Sequence, residues 1–210
     1  GTIVVGIGGT AQNTTLSGGF FDSETATQNV SGGTASNTVV GYRGFEYIQS
    51  GGVASGTLVQ SGGSQCAASG GTAYGTIVSG GFLSAYGGAI SGAVIHDGSG
   101  QIFGTVQDMT LHSGYVWTGC IADGVTVSGG RVETSNAEIH NLTIHSGGTG
   151  TIGAGTLYDT KLLGGNVSIF HVEQTDFHRM TISGGTALIE SRTALRDTVL
   201  QDGVLNLRNI

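Results

Sequence analysis

Short runs in which apolar and polar residues alternate, separated by glycine pairs, make up most of this chain. The stretch 50–63, SGGVASGTLVQSGG, shows the pattern at its clearest: it opens and closes on the same triplet, with Val-Ala-Ser and Thr-Leu-Val between. A period of two with β-branched residues in the runs predicts β-strands rather than helices. Glycine tolerates positive φ, so Ser-Gly-Gly reads as a corner between strands rather than as linker.

The corners recur. The string GG-x-A-x-x-T occurs as GGTAQNT (8–14), GGTASNT (32–38), GGVASGT (51–57) and GGTAYGT (70–76), with a worn copy, GGAISGA, at 87–93. An aliphatic residue followed by a Ser-Gly or Asp-Gly turn continues to the end: IVSGG (77–81), VIHDG (94–98), TVSGG (126–130), TIHSGG (143–148), TISGG (181–185) and VLQDG (199–203). The period is about 18–19 residues, room for two short strands and two turns. Such units stack most simply as the rungs of a β-solenoid, about 4.8 Å apart. The expectation is an all-β parallel β-helix of about ten to eleven rungs forming one segment over 1–210, with close-match repeats over 1–93 and degenerate ones over 94–210.

Aligning the rungs turns positions into surfaces. One inward column runs Val40, Val59, Val78, Ile95, Leu111, Val127, Ile144, Leu162, Ile182, Leu200; a second, two residues earlier, runs from Thr38, Thr57 and Thr76 to Thr198. On the other strand the inward pairs are Val132 with Thr134, Val167 with Ile169, Ala187 with Ile189, and Leu205 with Leu207. Between the inward columns lies an outward one that changes character. Val39, Leu58, Ile77 and Val94 make an aliphatic strip, read as a self-association surface; Thr110, Thr126 and Thr143 follow as candidates for glycosylation. A second outward set, Phe45, Tyr47, Phe82, Phe103, Tyr115 and Trp117, is a candidate ligand-binding patch. Its alternative is burial under a loop, under the segment 20–30 or under further parts of the protein. The N-terminal half is thus expected to be sticky outside and the C-terminal half polar.

Composition supports the rungs. Forty-one glycines with 38% hydrophobic residues, 10% charged residues and no proline suit turns and ladders rather than disorder. A net charge of −7 with one lysine provides no basic stripe for nucleic acid. No apolar run reaches the length of a membrane-spanning helix. The start, GTIVVGIGGT, lacks the features of a signal peptide, so an exported precursor would have lost its signal before this numbering begins.

Candidate chemistry is sparse. β-Helix glycosidases and lyases need carboxylates at set separations. The acids here, among them Glu46, Asp97, Asp108, Asp123, Glu133 and Asp159, are spread over the rungs and read as solvated surface. His96, His112 and His145 share an outward column before a turn, but two neighbouring ligands without a third make a weak metal site. The one lysine, Lys161 in TKLLGG, precedes its glycines, which excludes a phosphate-binding loop. No cofactor, metal or catalytic residue is assigned. Cys66 and Cys120 fall three rungs apart, roughly 14 Å, too far for a disulfide. Two free thiols are expected, with Cys66 pointing outward beside Ser64.

The repeats SGGTASNTVV, SGGVASGTLVQSGG and SGGTAYGTIVSGG closely resemble those of self-associating autotransporter adhesins of the AIDA and antigen 43 types. The resemblance is specific for about residues 8–93; beyond 94 only the period and the aliphatic-turn pattern agree. It implies a right-handed parallel β-helix, the passenger segment of a longer protein, on the outer surface of a Gram-negative bacterium. It further implies cell–cell aggregation through contact with its own kind, adherence to host glycans or glycoproteins, and O-glycosylation of Ser and Thr by a heptosyltransferase. The alternative functions are a carbohydrate-binding module or a polysaccharide-active β-helix enzyme.

Overall fold

The computed structural model describes residues 1–19, 24–169, 175–190 and 193–208. Regular structure among them is entirely β, and the strands pair in parallel, rung on rung. The chain divides into two compact units, Gly1–Val106 and Gln107–Ile210. Each is a β-solenoid.

Every rung has three sides rather than the two read from the sequence. In the first unit one side stacks Thr2–Val5, Ala26–Val30, Gly44–Ile48, Ser64–Ala68 and residues 82–87. The second stacks Thr10–Gln12, Thr34–Ser36, Val53–Ser55, Thr72–Tyr74 and residues 89–91. The third stacks Thr15–Leu16, Val39–Val40, Leu58–Gln60 and residues 77–80. The second unit repeats the plan, with Tyr115–Thr118, Gly130–Thr134, Gly148–Ile152 and Asn166–Ile169 on the first side. Its second side stacks residues 121–123, Ala137–His140, Gly155–Tyr158, Thr175–His178 and Thr193–Arg196.

The motif GG-x-A-x-x-T encodes this geometry position by position. In 51–57, Gly51 takes φ +71°, which a side chain rarely adopts, and a Cβ on Gly52 would lie 2.2 Å from the Val30 carbonyl oxygen of the rung before. The Gly52 amide closes the turn by donating to Gln49 O at 2.8 Å. Val53 faces out, Ala54 is buried and Ser55 faces out, a three-residue strand. Gly56 then turns the chain by itself at φ +65°, and Thr57 faces inward, fully buried. This one-residue corner is the one missed by the two-sided reading. Glycine is optional there: Asn37, Asn141, Asp159 and Arg179 occupy it in other rungs, all with positive φ. What holds the corner is the backbone, since the amides of Asn37, Gly56 and Asn141 each donate to a carbonyl of the following rung at 2.9 Å.

The core follows the predicted columns over most of their length. Val40, Val59, Val78, Ile95, Leu111, Val127, Ile144, Leu162 and Ile182 are all buried. So are Val132, Thr134, Val167, Ile169, Ala187 and Ile189. The last rung departs from expectation: Leu200 and Leu207 are exposed, and Thr198 and Leu205 are half-buried. A rung with a neighbour on one side only cannot bury its inward residues as the middle rungs do.

The interiors of the two units differ. In the first, Gln28, Glu46 and Gln65 point inward on successive rungs of the first side, and the second side faces them with Ala35, Ala54 and Ala73. In the second, the first side contributes Val116, Val132, Gly150 and Val167, and the second side contributes Ile139, Leu157 and Phe177. Small residues on one side thus accompany large ones on the other, as close packing of a fixed cross-section requires.

Glu46 is therefore not a surface acid, contrary to the reading from sequence. Its carboxylate is completely buried and accepts three hydrogen bonds, from Gln28 Nε2 at 3.0 Å, Thr57 Oγ1 at 2.8 Å and Gln65 Nε2 at 2.7 Å. Thr76 Oγ1 extends the chain by donating to Gln65 Oε1 at 2.7 Å. A buried carboxylate without such donors would cost several kcal/mol; here the threonine of the repeat motif supplies one of them.

Candidate functional site

The aliphatic strip lies where the sequence places it. Val39 pairs with Leu58 and Leu58 with Ile77, and the Val94 amide donates to Thr76 O at 2.9 Å, which sets Val94 one rung beyond Ile77. All four are on the third side of the first unit. Ile77 is 42% exposed; Val39, Leu58 and Val94 are half-buried between flanking side chains. Rungs about 4.8 Å apart make this a continuous apolar line, preceded by Thr15 opposite Val39.

The threonine column occupies the same side of the second unit. Thr126 pairs with Thr143, Thr143 with Lys161 and Lys161 with Thr181. The Ser128 amide donates to Leu111 O, so Thr110 stands one rung before Thr126. Thr110, Thr126 and Thr143 are half-buried. The second unit is less uniformly polar outside than expected, because Ile121 and Leu163 are exposed there.

The aromatic residues all point outward but are not one run. On the first side of the first unit Ser64 separates Phe45 from Phe82, and Cys66 and Ser84 continue the column of Tyr47. Phe45 and Tyr47 stack on each other with ring centroids 5.9 Å apart. Phe103 stacks on Tyr86 at 6.1 Å, and Tyr86 Oη donates to Gln101 Oε1 at 2.8 Å. Tyr86, absent from the sequence-based set, is an exposed member of this group, and its signal is its even spacing from Phe82 along one strand. Of the segment 20–30 expected as a cover for the patch, residues 20–23 lie outside the described residues.

In the second unit, Tyr115 and Trp117 project from Tyr115–Thr118 and pair across the rung with Arg131 and Glu133. Glu133 Oε2 accepts from Arg131 at 2.9 Å and from Tyr115 Oη at 3.2 Å. Partial burial, followed by the Glu133 charge and hydrogen bond, pushes the Tyr115 phenol above its ordinary pKa, so it remains a neutral donor.

A further ladder, invisible to the sequence reading, stands on the second side of this unit. His140, Tyr158 and His178 are in register on consecutive rungs, with ring centroids 4.6 and 4.9 Å apart. Asp159 and Arg179 make a bidentate pair beside it, both contacts at 2.6 Å, which holds the Asp159 carboxyl below the usual carboxylate range. Of the other histidines, His96 and His112 are exposed and His145 is half-buried, and His112 Nδ1 lies 2.9 Å from Ser128 Oγ. Among the described residues no group of three or more His, Cys, Asp and Glu is arranged to hold a metal.

Neither cysteine is in a disulfide, and Cys120 Sγ lies 2.7 Å from Thr118 Oγ1. Cys66 has the outward register expected of it, between Tyr47 and Ser84 on adjacent rungs, yet it is only 5% exposed. Its neighbours, rather than its direction, exclude solvent.

No protein-family model matches the chain, and no curated protein matches it by sequence. The structure is similar to the crystal structure of a TibA fragment hyper-glycosylated by TibC, with a TM-score of 0.62 and 21% sequence identity. The two chains share a fold. The likeness extends over 99% of this chain and 92% of the TibA chain.

Proposed function

We propose that this chain is a segment of a bacterial surface adhesin that joins cells through the lateral faces of a β-solenoid, without catalysis. The observation that carries this reading is the strip Val39, Leu58, Ile77 and Val94, an apolar line on a side whose backbone hydrogen bonds are already satisfied within the solenoid. Such a side has no open strand edge to extend, so a second copy would pack on it through side chains. Each aliphatic residue removed from water contributes at about 25 cal/mol per Å². One strip is weak on its own and becomes effective when many copies on two cell surfaces meet.

The repeat resemblance and the fold shared with a glycosylated TibA fragment both support an exported location, as the passenger of a longer protein at the outer membrane. They also support O-glycosylation by a heptosyltransferase, with Thr110, Thr126 and Thr143 as acceptors, and adherence to host glycoproteins beside self-contact. Three of the acids that a β-helix enzyme would need for catalysis have other occupations. Glu46 is in the core, Asp159 is paired with Arg179, and Asp123 accepts from Asn141 Nδ2 at 2.7 Å.

Leu58→Asp with Ile77→Asp tests the strip. Cells displaying this variant within the full-length protein should no longer clump, while the circular dichroism of the purified chain stays that of the parent. Clumping that persists would remove the strip from the interface.

A further inference from the structure

We propose that Tyr115, Trp117, Arg131 and Glu133 form a binding site for a neutral glycan lying along the rungs of the second unit. The four residues occupy a two-by-two block of outward positions, aromatic on one rung and an ion pair on the next. Pyranose rings are recognised by this combination: an apolar ring face takes the sugar C–H groups, and polar groups beside it take the hydroxyls. Arg131 provides a planar fork of donors and Glu133 an acceptor, which together match two adjacent hydroxyls, one accepting and one donating.

The ion pair is 50% and 35% exposed at its two side chains, and pairs so exposed contribute little to folding. Stability therefore gives little account of it, whereas its position against the aromatic residues gives a clear one. The hydrogen bond from Tyr115 Oη to Glu133 and the bond from Arg131 to the same oxygen pre-orient all three polar groups before a ligand arrives.

The surface continues in the same direction with neutral hydroxyl and amide groups. Thr149 and Thr151 follow Arg131 and Glu133 on the next rung, and Asn166 and Ser168 follow them. Rungs recur every ~4.8 Å, close to the length of one sugar ring, so consecutive units of an extended oligosaccharide would meet consecutive rungs. The Arg131–Glu133 pair carries no net charge and the chain carries −7. Both disfavour sialylated or sulfated glycans and favour neutral ones.

Trp117 is the sole tryptophan of the chain, so its fluorescence reports on this site alone. The 210-residue chain is titrated with cellotriose, chitotriose, mannotriose, lactose and sialyllactose at millimolar concentrations. The expected result is a saturable change in emission with at least one neutral sugar, weaker or absent with sialyllactose. Arg131→Gln should weaken that binding by about tenfold or more, the size of one lost hydrogen bond to a charged group, with unchanged circular dichroism. Tyr115→Phe, which keeps the ring and loses the hydroxyl, gives a smaller loss. No saturable response to any neutral sugar overturns the site; so does a response that survives Arg131→Gln, and tighter binding of sialyllactose than of lactose overturns its neutral class. The self-association strip is a separate surface, so cell clumping in Arg131→Gln stays at the parental level and the two proposals fail independently.

Discussion

Thr57 donates its hydroxyl to the buried carboxylate of Glu46 at 2.8 Å across the interior of the first unit. One partner is the last residue of the repeat motif and the other stands on a different side of the solenoid, in the strand Gly44–Ile48, two strands earlier. The contact explains why a threonine, rather than a valine of the same shape, serves at this inward position: a buried acceptor needs its donor.

Removing that acceptor should be costly. Glu46→Ala leaves Thr57, Gln65 and Gln28 each short of a partner and opens a cavity, so stability to urea should fall by about 3 kcal/mol. Thr57→Val, which removes one donor, should cost about 1–2 kcal/mol. A loss for Glu46→Ala within ~0.5 kcal/mol, typical of a surface site, would place the carboxylate in solvent instead.

The two kinds of glycine corner should differ in how well they tolerate a side chain. A Cβ on Gly63 would lie 2.2 Å from Val40 O, so Gly63→Ala is expected to destabilise the chain by more than ~2 kcal/mol. A Cβ on Gly75, at φ +57°, would meet nothing within 4 Å, and the residue occupies the corner that asparagine fills at Asn37. Gly75→Asn should change the urea midpoint little. Equal losses for the two variants would mean that crowding by the neighbouring rung is not what separates these corners.

Asp159 carries a pH signature. Hydrogen bonding from Arg179, and then its charge, lowers the carboxyl pKa. A group depressed in the folded state contributes above its unfolded pKa, and the contribution is lost as pH falls through the folded value. In Arg179→Ala the NMR titration midpoint of Asp159 should rise towards the ordinary carboxylate value. An unmoved midpoint would mean that the ion pair does not persist in solution.

The thiols offer a further check. Cys66 and Cys120 are 5% and 8% exposed and in no disulfide, so a thiol reagent should react slowly with the native protein and with both residues after denaturation without reductant. A denatured, unreduced sample with no reactive thiol would reveal a bridge and contradict the unbridged state of both residues.

What the sequence by itself determined is the part dictated by local backbone chemistry repeated in every rung. The lack of room for a side chain at Gly52 and Gly63 restricts those positions to glycine, and positive φ at Gly51 and Gly62 favours it. The period, the inward columns and the outward strip are legible for that reason. The third side was not legible, because its corner is one residue held by inter-rung amide bonds, and Asn37, Gly56, Asp159 and Arg179 all satisfy it. The place of Glu46 was also hidden: its parity with buried Ile48 puts it inward, but the donors that make an inward carboxylate tolerable come from other rungs and another side. The same holds for the stacked rings of His140, Tyr158 and His178 and for Tyr115 beside Glu133. These pairs are a rung apart in space and about eighteen residues apart in the chain, and only stacking at the strand spacing brings them into contact.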